Sequence, residues 1–218
     1  MSTEIEREKQ LAAEAAAALV DDGMAVGLGT GSTARHFLHA LAARNLEVEC
    51  VATSPETEAT ALALGLRVEP FAASTKLARL DIAVDGADQV AGDGWVVKGG
   101  GGAHTREKIV AAAAERFVVI VSSDKLVDDV APPIPLELLA FGVAATVAGL
   151  GPVRLREAQP TPDGGLLADW VGSVDDPPGL AALLAAAPGV VEHGLFPPDL
   201  VSEVLIGRGG EVERIEPS

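Results

Sequence analysis

The sequence predicts an α/β protein: a doubly wound, mostly parallel sheet domain, joined to a smaller α+β domain of ferredoxin-like type. Three observations carry this reading. Short apolar runs alternate with helical stretches through the first half of the chain. Strands covered on both faces read as continuous apolar runs, and their alternation with helices marks a parallel sheet. The texture then changes at Ala131-Pro132-Pro133-Ile134-Pro135, and a β-α-β-β-α-β-like rhythm follows within about seventy residues. Finally, 218 residues with 48% hydrophobic content suffice for one large core and one small one. The expected domains are 1–130 with 200–218, and 131–199.

Glu4 to Val20 is an alanine-rich helix closed by the Asp21-Asp22-Gly23 turn. Met24–Leu28 is a buried strand, Gly29–Thr33 a loop, and Ala34–Ala43 a helix. Leu46–Ala52 is a strand. Pro55–Leu64 is a helix, with Gly65 at its C-cap. Arg67–Pro70 and Leu80–Val84 are strands, and the second runs into Asp85-Gly86-Ala87-Asp88. Trp95–Val97 ends a strand, and Glu107 opens a helix that leads to the strand Arg116–Val121. In the second domain Phe141–Leu150 and Pro177–Ala187 are helices; Val153–Glu157, Leu166–Val171 and Val190–His193 are strands. Leu200–Ile206 returns to the large sheet.

Composition removes several function classes. The formal net charge is −16, so a nucleic-acid partner, which needs a basic surface, is excluded. No run of roughly eighteen apolar residues exists to span a membrane. The N-terminus is acidic rather than basic and then apolar, so it does not read as a secretory signal. The one cysteine, Cys50, excludes an internal disulfide and a cysteine-based zinc site. A cytoplasmic protein is the expectation. Scarce lysine (Lys9, Lys76, Lys98, Lys108 and Lys125 only) beside abundant carboxylates and alanine looks like adaptation to a halophilic cytoplasm, where salt screens surface repulsion.

The chemistry concentrates in polar loops that follow strands. In doubly wound sheets ligands bind at the carboxyl ends of strands, so these loops are expected to share one crevice. Lys98-Gly99-Gly100-Gly101-Gly102-Ala103-His104-Thr105-Arg106-Glu107 sets a lysine, four glycines and a glutamate within ten positions. Glycines in such number lower local stability through backbone entropy, and suit a backbone that must come close to something. A cation and a carboxylate beside them suggest an anionic substrate and an acid–base step. Gly29-Thr30-Gly31-Ser32-Thr33 precedes a helix whose free N–H groups and partial positive charge suit phosphate. It lacks the dinucleotide G-x-G-x-x-G fingerprint and the P-loop lysine, so it reads either as a phosphate site or as a capped turn. Asp85 and Asp88 suit proton exchange with sugar hydroxyls, a divalent metal, or an Asx turn. Glu107, in the first turn of its helix, reads as a general base or as simple dipole complementarity. Lys125 follows a strand end and suits phosphate neutralisation. The histidines His36, His39, His104 and His193 are scattered, and no metal is predicted.

Taken together, these segments resemble the ribose-5-phosphate isomerase type A family. The matching pieces are Gly29–Thr33, Val84–Asp88, Lys98–Gly101 with Thr105–Lys108, and Ser123-Asp124-Lys125, followed by weaker matches at Pro133–Glu137, Pro188–Val191 and Gly194–Phe196. They cover nearly the whole chain in order. The resemblance implies cofactor-free interconversion of D-ribose 5-phosphate and D-ribulose 5-phosphate through an enediolate, by dimers or tetramers. It makes Glu107 the proton-transferring base, Asp85 the ring-opening carboxylate and Lys98 the oxyanion stabiliser. Asp88 would bond sugar hydroxyls. Thr30, Gly31, Ser32 and Thr33 would meet the phosphate, with Lys125 and Lys9 as further contacts. Gly86, Ala87, Gly99, Gly100 and Gly101 would line the substrate. The Thr161–Gly165 turn departs from relatives that carry more asparagine there, and His104 stands where small or apolar residues are common. A sugar-phosphate lactonase or deaminase would be expected to carry different catalytic loops. A sugar-phosphate sensor domain would add a basic DNA-binding segment, and a nicotinamide dehydrogenase would need the missing fingerprint.

Overall fold

The computed structural model describes residues 2–72 and 77–217. It divides into two compact units: Met1–Ala87 with Arg106–Lys125 and Asp199–Ser218, and Asp88–Thr105 with Leu126–Pro198. Each unit is discontinuous in sequence. The segments 88–105 and 126–130, read from sequence as part of the large domain, belong to the second unit.

The first unit is built on a seven-stranded sheet. Its spatial order is Glu211–Ile215, Glu203–Arg208, Ala114–Ser122, Leu80–Asp85, Ala25–Leu28, Glu49–Ala52, Arg67–Val68. All neighbours are parallel except the Glu211–Ile215 edge, which is antiparallel to Glu203–Arg208. The period of two along each strand sorts the side chains. Val26, Leu28, Ile82 and Val84 join the core formed with Ala12, Ala13, Ala16, Phe37, Leu38 and Leu41 of helices Ser2–Ala17 and Ser32–Ala43. Gly27 and Ala83 point to the opposite face, where a Cβ on Gly27 would lie 2.5 Å from Val110 Cγ1 of helix His104–Ala113. Helices therefore cover both faces, and the alanine-rich first helix packs closely because its buried residues are small.

The second unit holds two antiparallel-rich sheets. Strands Ile134–Leu138, Val153–Leu155, Leu166–Trp170 and Val190–His193, with helices Val143–Leu150 and Pro177–Ala186, form a β-α-β-β-α-β unit. Their spatial order is second, third, first, fourth, with every neighbouring pair antiparallel. This is the ferredoxin-like arrangement expected from the sequence. A smaller sheet joins Leu195–Phe196, Val96–Val97, Gln89–Ala91 and Leu126–Val127. Strand Leu195–Phe196 fixes where the chain leaves Val97 for Lys98.

Candidate functional site

In the first unit the carboxyl ends of two adjacent strands meet. Ala25–Leu28 opens into Gly29-Thr30-Gly31, and Leu80–Asp85 ends on Asp85. Asp85 is buried, and its Oδ1 accepts from the Thr30 amide at 3.0 Å and the Gly86 amide at 2.7 Å. The approach is so close that a Cβ on Gly29 would stand 2.1 Å from Asp85 Cγ. Gly31 has φ +114°, a conformation glycine adopts without steric cost, and it begins helix Ser32–Ala43 with no side-chain cap. Among the described residues no side chain caps this turn, and the helix dipole adds partial positive charge at the Ser32 and Thr33 amides. Such an end suits an anion.

The Thr30 hydroxyl is engaged by other threonines of the first unit. Its Oγ1 is 2.7 Å from Thr53 Oγ1 and 3.1 Å from Thr57 Oγ1. Thr57 in turn donates to the Gly29 carbonyl at 3.0 Å. This threonine cluster braces the loop from beneath. Thr33 Cβ lies 3.6 Å from the position a Cβ on Gly86 would take, so the phosphate-type loop and the Asp85-Gly86-Ala87 turn are neighbours.

Glu107 is buried in the first turn of helix His104–Ala113. The helix ends at Ala113 and strand Ala114–Ser122 begins at the next residue, so its N-terminal turn lies toward the carboxyl edge of the sheet. Val110, one turn on and on the same helix face, packs against Gly27. Glu107 therefore lies toward the sheet edge that bears Gly29 and Asp85. Lys125 closes the 3-10 turn Ser123–Lys125 after the same strand, is partly exposed, and has its Nζ 3.7 Å from Asp124. Glu8 is buried beneath this turn and holds it through the Ser123 amide and hydroxyl. Lys9 is paired with Glu6 at 2.7 Å. Of the five lysines, Lys76 lies outside the described residues.

The second unit carries the remaining expected residues. Lys98 is buried, and its amide donates to the Gly194 carbonyl at 2.9 Å. Its Nζ stands 5.7 Å from the centre of the Phe196 ring, a cation–π distance. Gly99 has φ +103°, and a Cβ there would lie 2.5 Å from Nδ1 of the buried His104. His104 therefore supports the loop from below. Gly100 donates its amide to Asp88 Oδ2 at 2.7 Å. Asp88 is exposed and Asp85 is not, so the two carboxylates that look alike in sequence differ in environment. Thr105 and Thr161 both donate to the buried Glu137, the second at 2.6 Å.

Four residues of consequence carry no motif. Arg156 and Asp169 are paired across a hairpin, Glu137 anchors the two threonines, and Phe196 lies under Lys98. Glu137 and Phe196 stand in segments the sequence reading marked, Pro133–Glu137 and Gly194–Phe196, whereas Arg156 and Asp169 do not. Among the described residues no cluster of three or more His, Cys, Asp or Glu is placed to hold a metal ion. No described helix is long and apolar enough to cross a membrane.

A parallel sheet whose carboxyl edge sets a helix N-terminus beside a buried aspartate is the arrangement in which doubly wound α/β proteins take anionic small molecules. The comparisons narrow that class. Residues 49–211 match the family described as ribose 5-phosphate isomerase A (phosphoriboisomerase A). A ribose-5-phosphate isomerase A of Caulobacter vibrioides is 43% identical over 226 residues, covering 96% of this chain and 98% of the relative. The solved ribose 5 phosphate isomerase A of Neisseria gonorrhoeae superposes with TM-score 0.92 at 31% identity, over 100% of this chain and 99% of that one. A D-ribose-5-phosphate isomerase solved in complex with phospho-erythronic acid superposes with TM-score 0.90 at 30% identity, over 97% and 99%. The chain belongs to the ribose 5-phosphate isomerase A family, and is by that membership an aldose–ketose isomerase.

Proposed function

We propose that this chain interconverts D-ribose 5-phosphate and D-ribulose 5-phosphate without a cofactor, by carrying one proton between C1 and C2 through an enediolate. Glu107 is the base. The observation that supports it best is its place: a buried carboxylate in the first turn of a helix whose N-terminus lies toward the carboxyl edge of the parallel sheet. One carboxylate on one face of the substrate can serve both carbons, so a single glutamate suffices. The enediolate gathers charge on oxygen, and Lys98 is the group assigned to meet it.

Asp85, oriented by the amides of Thr30 and Gly86, opens the sugar ring. Asp88 bonds the open sugar's hydroxyls, and Gly86, Ala87 and Gly99–Gly101 line the substrate. The amides at Gly31, Ser32 and Thr33 take the phosphate, with Lys125 and Lys9 adding charge. Phosphate binding far from C1 supplies energy that holds the reacting carbons in place. Phospho-erythronic acid, found with the solved relative, joins a phosphate to a terminal carboxylate. A carboxylate presents two oxygens in a plane, as an enediolate does, and this favours the same reading.

A soluble cytoplasmic dimer or tetramer adapted to high salt is part of the proposal. The acidic balance of −16 supports the last point. The test is ribulose 5-phosphate formation in molar potassium chloride by the wild type and Glu107→Gln. Turnover by wild type alone is expected. Equal turnover by both moves the base elsewhere, and silence from both correctly folded proteins defeats the reaction assignment. Lys98→Ala is expected to lose roughly two to three orders of magnitude in turnover, the scale of one lost oxyanion donor.

A further inference from the structure

The glycine loop is fastened from outside its own motif. Arg156 follows strand Val153–Leu155 and stays paired through its amide to the Leu167 carbonyl at 2.9 Å. Its Nε donates to both oxygens of Asp169 at 3.1 Å, and Nη2 donates to Asp169 Oδ1 at 2.7 Å. Nη1 then leaves the hairpin and donates to the carbonyls of Gly99 at 3.1 Å and Gly100 at 3.0 Å. The side chains of Arg156 and Asp169 are 19% and 8% exposed, so this fork works largely out of water.

A hairpin that needed only a stabilising ion pair would stop at Asp169. The two additional bonds act on peptide planes. In a trans peptide the carbonyl and the following N–H point in opposite directions. Holding the Gly99 carbonyl therefore aims the Gly100 amide away from Arg156, and there it meets Asp88 Oδ2 at 2.7 Å. Holding the Gly100 carbonyl turns the Gly101 amide away from Arg156 as well. Without the fork, a run of four glycines has many backbone conformations of similar energy.

We infer that Arg156, held by Asp169, is a positioning residue of the isomerase: it sets the peptide planes at Gly99 and Gly100, and through them the Gly101 amide and the Asp88 carboxylate that face the sugar. This rests on the reading above that the glycine loop and Asp88 belong to the substrate site. Only a guanidinium serves, because its three nitrogens make five donor contacts and a lysine ammonium cannot span them.

The test compares Arg156→Lys, Asp169→Asn and the control Arg154→Lys, a solvent-exposed position on the strand that precedes Arg156. Two readouts are taken: kcat and KM for ribose 5-phosphate, and NMR-detected hydrogen exchange of the amides of residues 99–102. Arg156→Lys is expected to speed exchange in the loop and to lower kcat by about 10- to 100-fold, the scale of an ångström of misplacement, with a smaller change in KM. Asp169→Asn should move both readouts in the same direction, and Arg154→Lys neither. If Arg156→Lys does not fold, Arg156→Ala with added guanidinium replaces it, and recovery of kcat by guanidinium supports the inference. Faster exchange with unchanged kcat overturns it, as does unchanged exchange. Glu107→Gln assayed in parallel separates the two readings. If that variant is inactive while Arg156→Lys matches wild type, the Arg156 role fails alone. If Glu107→Gln turns over normally, the base assignment fails, and a fall in kcat of Arg156→Lys still supports the positioning role.

Discussion

Glu8 accepts two hydrogen bonds from Ser123, one from its amide at 2.9 Å and one from its hydroxyl at 2.7 Å, across 115 positions of chain. A third donor, the Gly209 amide, reaches its other oxygen at 3.3 Å. Burial pushes the Glu8 carboxyl upward, but the bonds from Ser123 and Gly209 outweigh it and hold the group below the usual 4.5. The folded state thus binds its proton more weakly than the unfolded state. The resulting stability is complete above pH 4.5 and is lost as pH falls through the lower folded value. Glu8→Gln is expected to flatten the acid limb of a plot of unfolding free energy against pH. An acid limb identical to wild type counts against this account.

Gly29→Ala is expected to damage turnover more than binding. A Cβ there would meet Asp85 Cγ at 2.1 Å, and Asp85 is buried without room to retreat. If Asp85 opens the ring as proposed, displacing it by about an ångström costs up to about 100-fold in rate. Steady-state kinetics with ribose 5-phosphate check it, and a KM effect with kcat preserved would contradict it.

Cys50 is fully buried on strand Glu49–Ala52, which is paired on both sides, and burial raises its thiol to about 12. The native thiol is therefore inert, and a disulfide reagent can reach it only when the sheet opens. With a net charge of −16, dilution of salt should favour opening. Labelling in dilute buffer is expected to run at least about tenfold faster than in molar potassium chloride. Equal rates would remove the salt-adaptation argument.

Glu203 is a buried carboxylate held between Arg116 and Arg214, each at 2.6 Å. It ties strand Glu203–Arg208 to both of its neighbours. Glu203→Ala should cost about 3 kcal/mol in denaturant unfolding, near the low end for a broken buried pair because both arginines remain half in water. A cost below about 1 kcal/mol would show the pair to be incidental.

The parallel sheet was legible because its strands are apolar on both faces; Val26–Leu28 and Ile82–Val84 signal themselves without any period. Val96–Val97 showed itself as the end of an apolar run, but the two- and three-residue strands Gln89–Ala91, Leu126–Val127 and Leu195–Phe196 are too short to carry a period. Ile134–Leu138 is central to its sheet yet contains Pro135, which reads as a break. The proline is tolerated because the neighbouring strand ends at His193, opposite Leu136. Glu211–Ile215 was missed because its alternating charges resemble a solvated tail, although an exposed edge strand favours such residues. The loops bearing Asp85, Lys98 and Glu107 announced themselves through glycine and charge. Arg156 did not, since its meeting with Asp169 is diagonal across a hairpin whose register sets Arg154 opposite Asp169.

The seat of Glu8 also has a consequence for biosynthesis. Its first partner, Ser123, leaves the ribosome only after helices Ser2–Ala17, Ser32–Ala43, Pro55–Ala63 and His104–Ala113, and its second, Gly209, only after the whole second unit. Strand Glu203–Arg208, which a Cβ on Gly207 would drive into the Glu8 carbonyl, arrives equally late. During synthesis the opening helix must wait with its carboxylate in water and one flank of its apolar face uncovered. The large sheet therefore closes as a late event, and truncation before residue 203 should yield a nascent chain that chaperones hold rather than a smaller working enzyme.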